Sequence, residues 1–232
     1  MGRMDTLDKV AGAVTIRRSA RARRISLRVS RLDGRATLTL PRGVSEAEGL
    51  RFLAEKKDWL SRARSGLAPA RHVDIGAQLP VLGVARTVVA GPGRRAVLSD
   101  DTIAAPAARP GPAVLALLKM EARTRLAEAV ARHSAVVGRR PGRLTLRDTR
   151  SRWGSCSSAG DLMFSWRLIL APEAVLDYVA AHEVAHLVHM DHSRAFWAVT
   201  ERLVPDWRTH RDWLRVHGDT LHAWRFDTPS SG

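Results

Sequence analysis

Two histidines and a glutamate stand together in the run His182-Glu183-Val184-Ala185-His186. On a helix, residues four apart project from one face about 6 Å apart along the axis. His182 and His186 can therefore present two imidazole nitrogens to one tetrahedral ion. Glu183, one position on, points away from direct ligation and toward a water on that ion. Two helical ligands, a nearby base and an open coordination position are what a hydrolytic zinc site needs, and this HExxH pattern supplies them. The competing reading is a helix whose histidines only pack or face water. Val175, Val179, Val184 and Leu187 supply the apolar contacts that a helix here requires.

The spacing leaves the third ligand more open. His192 follows His182 by ten residues, which lets the chain leave the helix and turn a side chain back to the ion, and it is preferred. Glu201 is a carboxylate alternative if the next helix folds back. His189 is seven residues from His182, about 10 Å along the axis, and is better placed beside the site than in it. Ten-residue spacing also occurs in metzincins, but those usually carry Gly where His189 stands and a later Met turn. No methionine follows Met190. Arg152, His210 and Tyr178 are candidates to hold a developing oxyanion, each with a plain structural alternative. Cys156 reads as a structural residue, because a fourth protein ligand would close the site. Trp197, Trp207 and Trp213 read as core.

The elements that must position these residues follow from pattern. Pro172 suits the first turn of a helix running to about His189. Leu162–Leu170 reads as a strand, with an edge able to pair with an extended peptide as one possible role. Residues 143–147 form another strand, and the polar stretch Arg150–Gly160 a turn-rich connection. Ser193 caps a further helix, and Pro205 starts one through Leu214. Upstream, Val114 to about Val137 is a helix. Residues 72–105 are short strands broken by Gly83, Gly91-Pro92-Gly93 and Ser99-Asp100-Asp101. The alternations Arg24–Val29 and Ala36–Leu40, joined across Asp33-Gly34, predict a β-hairpin with one apolar and one basic face. Ser45 then opens a helix that Gly66 and Pro69 end. The expected fold class is α+β: an N-terminal β-rich region with a helix, then a mostly helical zincin-like domain with a short antiparallel sheet. The Pro/Ala/Gly stretch Ala105–Pro112 sets the expected domains at 1–105 and 106–232.

Composition narrows the classes. The chain has 232 residues, 45% of them apolar, enough for a real core. No apolar run approaches the roughly 20 residues that cross a bilayer. The first ten residues, MGRMDTLDKV, show no signal-peptide pattern, and the single cysteine excludes an internal disulfide. Together these favour the cytoplasm. The net charge is +15, and 34 of the 38 basic residues are Arg. Residues 1–72 carry 17 Lys+Arg against 7 Asp+Glu, residues 73–145 carry 11 against 5, and residues 146–232 carry 10 against 11. The excess lies upstream of the chemistry. Nucleic acid is a possible partner of that basic N-terminal region, although no aromatic-interleaved binding motif accompanies it. Oligomeric state leaves no trace in the pattern.

Several separated segments point the same way. They are Arg152-Trp153-Gly154-Ser155-Cys156-Ser157, Trp166-Arg167-Leu168, Asp177-Tyr178-Val179 leading into HEVAH, Asp191-His192-Ser193 and Phe196-Trp197, with the N-terminal Arg-Arg-Ile-Ser-Leu-Arg-Val hairpin and the Leu79-Pro80 to Leu82-Gly83 segment. In this order they resemble the YgjP-like metallopeptidase family, related to SprT-like zinc proteases, over nearly the whole chain. The resemblance implies a zinc metallopeptidase acting on a protein or peptide, with His182, His186 and His192 as zinc ligands and Glu183 as the catalytic residue. Two positions depart from the family pattern. Ser165 stands where Asn usually precedes Trp-Arg-Leu, and Asp191 where Asn usually precedes the third histidine. Neither change removes a ligand or the base. The alternative is a nucleic-acid-associated protein in which zinc is structural, or a protease recruited to nucleic acid by its basic N-terminal region.

Overall fold

The paired alternations near the N-terminus fold as a hairpin. In the computed structural model, which describes residues 14–30, 34–65 and 69–227, strands β2 (Ser26–Val29) and β3 (Ala36–Pro41) are antiparallel, with Ser26 opposite Thr39 and Val29 opposite Ala36. The expected turn residue Asp33, the expected helix stop Gly66 and the first ten residues lie outside the described residues. A strand not anticipated, β1 (Val14–Ser19), pairs in parallel with β3, so β3 is central in the order β1-β3-β2. Its alternate residues Ala36, Leu38 and Leu40 are buried against Leu53 and Leu60.

Those two leucines come from helices α1 (Glu46–Glu55) and α2 (Lys57–Ser65), separated at Lys56 where one helix was expected. Ser45 and Glu48 close a capping box. The Ser45 hydroxyl accepts from the Glu48 N–H at 3.2 Å and the Glu48 carboxylate accepts from the Ser45 N–H at 3.0 Å, satisfying two otherwise orphaned donors. Gly49 lets α1 approach β3, since a Cβ there would lie 2.7 Å from Leu40 Cδ2.

The chain forms two compact units, Met1–Pro69 and Ala70–Gly232. The division expected at residues 105–106 therefore falls inside the second unit. The stretch taken for a linker is a tight corner instead. Strand β8 (Thr102–Pro106) ends there and helix α3 (Pro110–Val137) begins at once. Proline suits that first turn, whose N–H groups have no helical partner. Gly111 packs so closely that a Cβ would sit 2.6 Å from the Phe226 carbonyl oxygen.

The second unit is built around α3 and helix α4 (Glu173–Ala185). Val114, Leu117, Leu118, Leu126 and Val130 of α3 are buried in one core with Val175, Leu176, Val179 and Val184 of α4. Each such side chain contributes about 1.5–3 kcal/mol by leaving water. A polar clamp adds direction: Asp177 accepts from Arg132 at 2.8 Å and bonds His133 Nε2 at 2.9 Å. One side of this core is the sheet β5 (Gln78–Val81), β6 (Val84–Gly91), β8 and β7 (Val97–Leu98), in the order β5-β6-β8-β7. The β5–β6 turn has positive φ at Leu82 and Gly83. Its tip meets the start of α4, where a Cβ on Gly83 would lie 3.2 Å from Pro172 Cα. Strand β4 (Arg71–His72) pairs in parallel with β12 (Trp224–Arg225), joining the first and last strands of the unit.

A second sheet has the order β10-β11-β9, from Gly154–Cys156, Leu162–Ser165 and Leu144–Arg147. β11 is antiparallel to β10 but parallel to β9, so the sheet is mixed rather than antiparallel. The expected strand Leu162–Leu170 stops at Ser165 and continues as a 3-10 helix, Trp166–Leu170. Every residue of that turn is buried, and a continuous apolar run has no periodicity to separate strand from helix. Because β11 is central, it has no free edge for a peptide; β10 is the edge beside α4. Two more helices, α5 (Arg194–Leu203) and α6 (Trp207–Leu221), complete an α+β fold.

Candidate metal centre and cleft

Helix α4 is buried on nearly every side, so its polar residues must have a reason to be there. It ends four residues earlier than the sequence pattern suggests. His186 is the C-cap, and Leu187, Val188 and His189 donate back to Val184 and Ala185 in a tight turn. That early stop turns the chain round within six residues of His186. Asp191 then accepts from the Ser193 N–H at 3.4 Å, and Ser193 caps α5 by accepting from the Phe196 N–H.

The turn brings His192 back to the helix. Its Nε2 lies 3.2 Å from His182 Nε2, and ligand nitrogens of His182, His186 and His192 all lie within 4.8 Å of one another. Phe196, fully buried, backs all three imidazoles, with ring centroids 4.9, 4.5 and 4.8 Å from theirs. His186 Nδ1 lies 3.1 Å from the His189 carbonyl oxygen. Donation along that bond leaves the Nε2 lone pair free. His182 Nδ1 is buried without a hydrogen-bond partner among the described residues. Of the other candidates, His189 contributes its backbone carbonyl, and Glu201 accepts from Arg208 at 2.9 Å in an exposed ion pair.

Burial governs the electrostatics. It pushes His182 down to about 3, helped by His186, His192 and Arg211, and it lowers His186 as well. Both imidazoles are thus neutral at neutral pH, as ligands must be. Glu183 is pushed up to about 8 by burial, against the opposing pull of Arg152. Its carboxyl group lies against the β10 backbone: a Cβ on Gly154 would stand 2.5 Å from Glu183 Oε1 and 2.6 Å from its Cγ. Only glycine leaves room for this side chain. Trp153 fixes that strand by packing on α6, where a Cβ at Gly218 would lie 2.9 Å from Trp153 Cζ2. Cys156 continues the strand, and burial with the charges of Glu183 and Asp161 raises its thiol pKa. A thiol held protonated is a poor nucleophile.

A cleft of about 420 Å³ opens beside His182 and Glu183, lined also by Arg152, Gly154, Tyr178 and Arg211. Two of the three oxyanion candidates, Arg152 and Tyr178, therefore face it. Tyr178 is pushed up to about 12, chiefly by burial, and keeps its proton for donation. The third, His210, pairs with Asp206 at 3.1 Å. Trp207 is core as expected and stacks on half-buried Trp197 at 4.2 Å. Pattern reading missed Arg211, the Phe196 wall, the His189 carbonyl and the space at Gly154. Arg211 had no signal, being one arginine among 34. Gly154 stood in plain view within the Trp-Gly-Ser-Cys run, without the packing partner that explains it.

The crystal structure of the metallopeptidase zymogen of Pyrococcus abyssi abylysin is similar at 21% identity and a TM-score of 0.36, over 40% of this chain and 92% of that one. No curated protein matches. The YgjP-like, metallopeptidase domain family matches residues 23–217, a span that includes the three histidines, Glu183 and the cleft, and the chain belongs to that family.

Proposed function

We propose that the chain is a zinc-dependent peptidase in which His182, His186 and His192 hold the metal and Glu183 is the general base. The observation that carries this reading is the convergence of three imidazoles beside a buried carboxylate, with His182 and Glu183 lining a cleft. Two ligands on a tetrahedral zinc, with bonds of about 2.0–2.1 Å, stand about 3.3 Å apart. The His182–His192 nitrogen separation of 3.2 Å fits that requirement. Three imidazole donors, with no fourth protein ligand beside them among the described residues, suit a catalytic rather than a structural zinc. A zinc kept only for structure would have no use for Glu183.

Bound zinc would supply a Lewis acid for the scissile carbonyl and an acidified water. Glu183 takes the proton of the attacking water and passes it to the leaving amine. Its high pKa favours the second half of that task, and a nearby divalent cation would draw it back toward the first. Tyr178, protonated, donates to the developing oxyanion. Residues 154–156 of β10 offer an edge that an extended peptide can join, laying its scissile bond beside Glu183.

Glu183→Gln tests the assignment. The variant is expected to keep one zinc per chain by elemental analysis while peptide hydrolysis falls by roughly 10²–10⁴-fold. Undiminished hydrolysis would remove Glu183 as the base. The charge of residues 1–72, 17 basic against 7 acidic, supports recruitment to nucleic acid as an added property. Binding that weakens steeply with salt is the expected sign, and no binding at low salt removes it.

A further inference from the structure

The cleft holds more positive charge than the hydrolytic step uses. Arg152, Arg211 and Arg215 line it, and Glu183 is the one acid in that lining. Arg215 is committed in part, donating to Asp212 at 3.2 Å. The guanidinium groups of Arg152 and Arg211 have no ion pair or hydrogen bond among the described residues. Arg211 is nonetheless held in place. Its guanidinium lies 5.5 Å from the Trp197 ring and 5.9 Å from the Trp207 ring, and these two indoles stack on each other. Aromatic faces position a guanidinium through its π surface and leave its N–H edges available. A planar fork of donors, fixed but unsatisfied, is suited to a carboxylate, which it can take in bidentate fashion.

The surroundings set the size of the anion. Residues 146–232 carry 10 basic against 11 acidic residues, so the cleft arginines are a local positive spot in a nearly neutral region. That matches one or two charges, not a long polyanion.

We propose that Arg211 and Arg152 form a carboxylate-binding subsite beside the metal position, which selects peptides carrying a carboxylate next to the scissile bond. This rests on the peptidase reading above. Two sources share the chemistry: an acidic side chain, or the free C-terminus of the substrate.

The test uses the zinc-loaded full chain and N-acetylated alanine-based hexapeptides. One set carries a single Glu or Gln at each position in turn, with an amidated C-terminus; the other is all-alanine with a free or amidated C-terminus. The expected result is a kcat/KM ratio of roughly 10–100 for a carboxylate over its amide, in the Glu/Gln arm for a side-chain subsite or in the terminal arm for an exopeptidase. Arg211→Gln is expected to bring that ratio close to one. Calorimetric binding of the same peptides to Glu183→Gln gives a readout independent of turnover, with the same preference expected and the same loss when Arg211→Gln is added. Hydrolysis with no preference in either arm overturns the subsite and leaves the peptidase. Preferential binding with no hydrolysis by the unaltered chain overturns the peptidase and leaves the subsite. A single-stranded oligonucleotide that displaces the carboxylate peptides at lower concentration than they bind overturns the choice of ligand.

Discussion

Two arginine environments in the second unit differ in a way that separates architecture from recognition. Arg167 is buried at 8% exposure. It donates to both oxygens of Asp148, at 2.6 and 3.0 Å, and to the carbonyls of Leu221 and Trp224, at 3.0 and 3.3 Å. Its guanidinium lies 4.7 Å from the Trp166 ring. Four of its five N–H groups are engaged in this way, and the side chain ties the 3-10 turn to the end of α6 and to β12. Arg211 is also seated on indole, but its donors are unspent. In a chain with 34 arginines, charge identifies neither role. An account of where each N–H goes identifies both.

Breaking the closed environment should have the largest effect. Arg167→Met strands the Asp148 carboxylate and two carbonyls, and is expected to cost about 3 kcal/mol, the low end for a broken buried pair because Asp148 is half-exposed. Thermal denaturation reads this as a lowered Tm; a Tm within 2 °C of the unaltered chain would contradict it. The same pair has a pH signature. Burial raises Asp148, but the hydrogen bond and charge of Arg167 outweigh that and lower its pKa. Its contribution is therefore full above the ordinary carboxylate range and is lost as pH falls through the depressed value. A smaller effect is expected at the open face from Gly154→Ala, which displaces the Glu183 carboxyl. About 10–100-fold loss in kcat at unchanged zinc content is expected, and steady-state kinetics would refute it by showing full turnover. Least affected should be stability in Arg211→Gln, which breaks no hydrogen bond: under about 0.5 kcal/mol by urea denaturation. A cost near that of Arg167→Met would mean that the two environments do not differ after all.

The approach of the three histidines was legible because it depends on short-range geometry. A four-residue helical spacing and a ten-residue return need no knowledge of the rest of the fold. Ser45 with Glu48, and Ser193 as a cap, were legible for the same reason. What escaped reading depends on distant partners. β1 offers only Val14 and Ile16 as apolar alternation, and its place is set by β3. The break after Ser165 follows from Arg167 reaching residues 148, 221 and 224. For Leu162–Leu170 the pattern leaves an edge role and a core role both open; Leu162–Ser165 is central and β10 and β9 are the edges, a property of strand order. The expected division at residues 105–106 does not coincide with the boundary between compact units at Pro69–Ala70, because the prolines that open α3 have the same composition as a linker.

The pairing of β4 with β12 has a consequence for synthesis. Arg71 donates its N–H to the Ala223 carbonyl, and Val73 to that of Arg225, so the second unit is clasped by segments some 150 residues apart in the chain. On a ribosome the first unit has all its core residues by Leu60 and can fold early, as N-terminal units generally do. The second cannot close until β12 has left the exit tunnel. At typical elongation rates of about 5–20 residues per second, the residues between His192 and Trp224 take about 2–6 seconds to add, so His182, His186 and His192 are made before that clasp can exist. Metal loading during translation would therefore act on an open unit, and a nascent chain halted before Trp224 would carry His182, His186 and His192 without the fold that brings them together.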